Sequence, residues 1–132
     1  MADYSEAIRL DPNYKQAINN RGLVYETKGD HDRAIADFSE AIRLDPQGAM
    51  AFNNRGFAYE AKGDHDRAIA DFNEAIRLDP KYVVAHTNRG DVYEAKGDLD
   101  RAIADYDEAI RLDPNSTLAI DNRAQAIAKQ KQ

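Results

Sequence analysis

Histidine, serine and the carboxylates are the residues of this chain suited to catalysis or metal binding, and their spacing argues against both. His31 and His65 occupy equivalent places at a turn into a helix, and His86 falls at a packing position, so no two histidines share the close spacing of a metal site. Ser5, Ser39 and Ser116 lack a recurring base that would activate a hydroxyl. The 24 Asp and Glu residues follow the same period as their surroundings, which is the pattern of helix caps and solvated faces. The sequence therefore predicts a protein that is not an enzyme, with no catalytic residue, no metal and no cofactor. What does recur in a chemically useful form is an amide, at Asn20, Asn54, Asn88 and Asn122. A side-chain amide both donates and accepts hydrogen bonds, so a column of them at one spacing is a polar feature that could serve binding.

Such a column needs elements that present it at a fixed spacing, and the chain supplies them by repetition. The stretches "KQAINNRGLVYETKGDHDRAIADFSEAIRLDPQG" (15–48), "AMAFNNRGFAYEAKGDHDRAIADFNEAIRLDPKY" (49–82) and "VVAHTNRGDVYEAKGDLDRAIADYDEAIRLDPNS" (83–116) are copies with a period of 34 residues. Each copy holds two helical patterns, with Ile18, Gly22 and Tyr25 on the first and Ala34, Ile35, Phe38, Ala41 and Ile42 on the second. Gly29, Gly63 and Gly97 are placed to end the first helix in the left-handed conformation, and Asp30, Asp64 and Asp98 to cap the second. Pro46, Pro80 and Pro114 stop the second helix by disfavouring helical backbone at the preceding Asp. Residues 1–14 repeat only the second helix and 117–132 only the first, so the array reads as a half repeat, three whole repeats and a half repeat in one continuous all-α domain. Because Met1 falls inside a repeat, the chain reads as a segment excised from a longer array.

Composition narrows the partners. A net charge of −6 without a Lys/Arg cluster argues against nucleic acid or an anionic membrane as partner and favours a neutral or basic protein or peptide. No apolar run approaches the roughly 20 residues of a membrane span, and the opening residues lack a signal-peptide layout, so a soluble protein is expected, cytoplasmic by default. The absence of cysteine leaves the redox compartment open.

The repeat resembles the tetratricopeptide repeat family. Counting each unit from its first residue, the family's Gly, Tyr, Ala, aromatic, Ala and Pro positions match Gly22, Tyr25, Ala34, Phe38, Ala41 and Pro46, and likewise in the next two units down to Pro114. Departures fall at the fourth position (Ile18, Phe52, His86) and the seventh (Arg21, Arg55, Arg89), where the family often has Trp and Leu. The resemblance implies a right-handed α-solenoid whose concave groove is lined by the second, fifth, sixth, ninth, twelfth and thirteenth positions. The sixth is the asparagine column. The ninth gives Leu23, Phe57, Asp91 and Gln125, and the twelfth Glu26, Glu60 and Glu94, an acidic row that favours Lys or Arg in a ligand. The implied function is a scaffold that holds a peptide on an asparagine ladder. The family's clamp for the C-terminal carboxylate of heat-shock chaperones would place its cations at Asn19, Val84 and Asn88, none of which is basic, so that activity is not expected.

The recurring Asn-Arg-Gly raises a packing question as well. A mid-helix glycine costs roughly 0.5–1 kcal/mol, and close approach of the second helix through Ala34, Ala68 and Ala102 would explain Gly22, Gly56 and Gly90. The arginines are expected to pair with Asp37, Asp71 and Asp105. At the ends, the opening helix would expose Tyr4, Ala7 and Ile8 and the closing helix Ile120, Ala124 and Ile127. These faces are complementary, so pairing between chains into a homo-oligomer is the alternative function.

Overall fold

The computed structural model describes residues 2–132, with side chains from Asp3 onward. Eight helices and no strands are found among them: α1 (Ala2–Leu10), α2 (Lys15–Thr27), α3 (His31–Leu44), α4 (Ala49–Ala61), α5 (His65–Leu78), α6 (Val83–Ala95), α7 (Leu99–Leu112) and α8 (Thr117–Gln130). None is long and apolar enough to cross a membrane.

The expected turn chemistry is in place. Gly29, Gly63 and Gly97 have φ of 80°, 82° and 83°, a region L side chains avoid. The next residue caps the following helix in each case: carboxylate oxygens of Asp30, Asp64 and Asp98 accept from the backbone N–H of Arg33, Arg67 and Arg101, all at 3.2 Å. Ahead of the prolines, Asp45 and Asp113 leave the helical region at φ −144° and −140°. Their carboxylates, with that of Asp79, accept from the N–H two residues on and close the link to the next first helix.

The chain divides into two compact units, one up to Leu78 and one over Asp79–Gln132. In the first, α2 packs on α3 and α4 on α5, while α3 bridges to α4 and α1 covers α2. Its core has one cluster of Ile18, Ala41 and Ala51, joined by Ile8, Ile42 and Leu44, and another of Ala34, Phe38 and Ala58, joined by Tyr25 and Ile35. In the second unit, α7 packs between α6 and α8 around Ala102, Tyr106 and Ala126. Small residues alternate with one aromatic ring per repeat, which lets the helix axes approach closely.

The reason for the mid-helix glycines differs from the expectation. A Cβ at Gly22, Gly56 or Gly90 would stand 2.6, 2.9 and 2.7 Å from the rings of Phe38, Phe72 and Tyr106. Each glycine makes room chiefly for an aromatic ring of the second helix. At Gly56 the Ala68 carbonyl also comes close, 3.2 Å from the same point.

Candidate protein-interaction surface

Each first helix carries its sixth, ninth and twelfth positions three residues apart, which sets them along one face. On α2 these are Asn20, Leu23 and Glu26, and on α4 Asn54, Phe57 and Glu60. Asn20 is exposed, Asn54 half-buried, and Leu23 and Phe57 leave 40% and 52% of their surface to solvent. On α6, Asn88 and Glu94 are half-buried and Asp91 exposed, and on α8 Asn122 is half-buried and Gln125 exposed.

The amides do more than face outward. Asn54 donates through Nδ2 to Asn19 Oδ1 at 3.3 Å, and Asn122 donates to Asp91 Oδ1 at 3.0 Å. Both bonds join one first helix to the preceding first helix, so part of each amide's capacity is spent holding repeats together. An amide has two N–H donors and an acceptor oxygen, and each of these bonds uses one donor.

The acidic row is likewise engaged from within. The carboxylates of Glu26 and Glu60 meet Nδ1 of His31 and His65 at 2.8 and 2.7 Å. In the third repeat Leu99 stands where those histidines were, and Glu94 takes different partners. The Tyr106 hydroxyl stands 2.7 Å from Asp91 Oδ1 and 3.0 Å from Glu94 Oε1, its single proton shared between the two carboxylates, and Lys129 reaches Glu94 from α8. Burial and these carboxylates push the Tyr106 hydroxyl far above its ordinary pKa. This network lines a cavity of about 250 Å³ with Asp91, Glu94, Asn122 and Lys129. It was missed from sequence, although the signal was present: the one repeat with an acid at its ninth position also exchanges Phe for Tyr106.

The predicted arginine pairs form. Arg21, Arg55 and Arg89 each make two bonds to Asp37, Asp71 and Asp105, at 2.6–2.9 Å, and those aspartates are 5–7% exposed. Arg55 also donates to Ser39, sixteen residues back, and Arg123 binds Asp107 at the place equivalent to Ser39. The guanidinium of Arg21 lies 5.8 Å from the centre of the Tyr25 ring, and that of Arg55 5.7 Å from Phe52. These arginines are packing residues and present no free charge to a ligand.

His86 is buried, as its packing position implied, with Nε2 donating to the Pro80 carbonyl at 3.0 Å. Among the described residues no group of three His, Asp or Glu is placed to hold a metal ion. At the ends the expectation is corrected in part. Tyr4, Ala7 and Ile8 are half-buried rather than exposed, because α1 packs on α2 and Ile8 joins the Ile18 cluster. Ile120 is 43% exposed, Ala124 is exposed and Ile127 is half-buried.

The tetratricopeptide repeat model matches residues 2–49, 21–83 and 53–117. The chain belongs to the tetratricopeptide repeat family. Similar solved tetratricopeptide structures include the first such domain of Spaghetti (RPAP3) bound to the HSP90 peptide SRMEEVD, at 25% identity and TM-score 0.86, covering 89% of this chain and 94% of that one. MamA superposes with TM-score 0.88 at 26% identity, covering 97% of this chain and 75% of that one. The second tetratricopeptide domain of human RPAP3, in complex with the HSP70 peptide SGPTIEEVD, is 28% identical, with TM-score 0.78 over 83% of this chain and 91% of that one. No curated protein sequence matches this chain.

Proposed function

We propose that this tetratricopeptide chain is a non-enzymatic scaffold that binds an extended, neutral or basic peptide on the faces of its first helices. The observation that carries the reading is the exposure of Leu23 and Phe57 at the same repeat position on α2 and α4, each one helical turn from an asparagine. The apolar pair supplies area to bury, and Asn20 and Asn54 on the same two helices supply donors and acceptors for the peptide main chain, while Asn88 and Asn122 offer the same groups on α6 and α8. That the two RPAP3 domains hold peptides supports the class of ligand.

The ligand's charge differs from those cases. Both of those peptides end in Glu-Glu-Val-Asp. This chain carries Glu26, Glu60, Asp91 and Glu94 on the same helix faces and has uncharged Asn19, Val84 and Asn88 at the clamp positions. Such a surface repels an acidic peptide and attracts Lys or Arg.

An NMR titration with matched Lys-rich and Glu-rich extended peptides tests this. Shifts at Asn20, Phe57 and Asn88 with the Lys-rich peptide alone are expected, weakened about tenfold by Phe57→Ala, consistent with losing one well-packed anchor. Phe57 is half exposed, so the variant keeps its fold. Equal response to both peptides, or shifts confined elsewhere, would discard the reading.

A further inference from the structure

The twelfth-position glutamates of the three complete repeats find their partners in two ways. Glu26 and Glu60 each meet Nδ1 of a histidine at the start of the following helix. The third repeat has Leu99 at that place, and its side chain, which has no donor, packs with the Tyr106 cluster instead. Glu94 is left to a hydroxyl and a cation. Its Oε1 lies 3.0 Å from the Tyr106 hydroxyl, and its Oε2 takes the ammonium of Lys129. The Glu94 side chain is only 12% exposed, and a carboxylate so far removed from water requires a cation.

Lys129 reaches it from α8, 35 positions along the chain. At its place in the repeat the complete units have Thr27, Ala61 and Ala95, so this cation is not part of the copied pattern. Its side chain is 52% exposed and gives up rotamer freedom to hold Glu94. A long cation that leans beside an open cavity to reach a carboxylate sits as the side chain of a bound lysine would.

The cavity, about 250 Å³, suits that guest. Besides Asp91 and Glu94 it is lined by Asn122 and Gln125, and Lys129 is the one cation among the described residues on its wall. The Asn122 amide is held in place by its own bond, Nδ2 donating to Asp91 at 3.0 Å. An ammonium has three N–H donors, of which Glu94 accepts one, and the amide oxygens of Asn122 and Gln125 bring further acceptors to the same space.

The geometry points to Lys129 as the internal occupant of a seat for a lysine of the bound peptide. The ligand's ammonium takes Glu94 in its place, and the released Lys129 side chain turns from α8 into water. This rests on the reading of the first-helix faces as a peptide site, and it adds where the ligand's cation goes and what competes with it. One glutamate oxygen cannot hold both ammonium groups at full strength. The internal contact therefore lowers the apparent affinity in proportion to the fraction of time it is made.

The test is a pair of NMR titrations on the 132-residue chain and on Lys129→Met, which keeps an unbranched stem and removes the charge. Lys129 is more than half exposed, so the variant keeps its fold. The first probe is the Lys-rich extended peptide, which Lys129→Met is expected to bind about fivefold tighter, the gain from vacating a seat that is filled most of the time. Lys131→Met removes the same charge from an exposed side chain nearby and should leave the affinity unchanged. Adding Glu94→Gln to Lys129→Met should cancel the gain. The second probe is Nα-acetyl-lysine N-methylamide, with the norleucine compound as its uncharged match. The lysine compound alone should shift Glu94, Tyr106 and Gln125, and more strongly in Lys129→Met than in the parent. A Lys129→Met chain that binds the peptide no tighter, or an equal gain from Lys131→Met, overturns the inference. If the peptide binds neither chain, the peptide reading fails and the lysine compound decides: shifts at Glu94 and Gln125 in Lys129→Met uphold the seat, and their absence overturns it.

Discussion

Arg55 shows what one side chain does in this protein. It holds Asp71 of its own repeat with two bonds, touches Ser39 of the preceding repeat and lies over the Phe52 and Tyr59 rings. The Arg and Asp spacing made the pair legible in sequence, while the contact with the previous repeat was not. Removing one partner strands a nearly buried charge. Asp71→Ala is therefore expected to lower stability by about 2–3 kcal/mol, read as a shift in urea midpoint, whereas replacing both residues with apolar ones costs far less. Tyr106 gives a pH signature. Its folded pKa lies above the ordinary 10.0, so the hydroxyl stays protonated in the folded chain while an unfolded chain would release it. The associated stability is complete below pH 10 and lost as pH rises beyond it. In alkaline absorbance titration Tyr106 should ionise only with unfolding, and Tyr106→Phe should abolish that late step. A Tyr106 that titrates in the folded state would contradict the buried network.

Between elements, the closest packing is a helix pair meeting over glycine. Periodicity, the turn glycines and the capping aspartates placed the helices and their turns before any coordinates, because these signals act within a few residues. Which atom fills the space over Gly56 is a matter of packing, and it is the Phe72 ring. Phe72 is 1% exposed and has nowhere to go. Gly56→Ala is thus expected to destabilise by about 1–2 kcal/mol in denaturant melts, since overpacking outweighs the better helix propensity. An unchanged or raised midpoint would show that the ring moves freely.

For the molecule as a whole, the first helices carry two features on one side: the exposed Leu23 and Phe57, and the Asn54 and Asn122 bonds that join each to the preceding first helix. The sequence by itself determined the all-α repeat, the two helices of each unit, their caps and breaks, and the Arg to Asp pairing, all of which depend on short-range backbone preference or on a strict period. Only the tertiary structure decided that the Asn54 and Asn122 amides brace neighbouring first helices, that His31 and His65 occupy the carboxylates of Glu26 and Glu60, and that α1 half-buries Tyr4. The helix bracing joins residues 35 and 31 positions apart. Stacking of helices brings such groups together, and hydrogen-bond geometry then selects among several polar neighbours that sequence leaves equivalent.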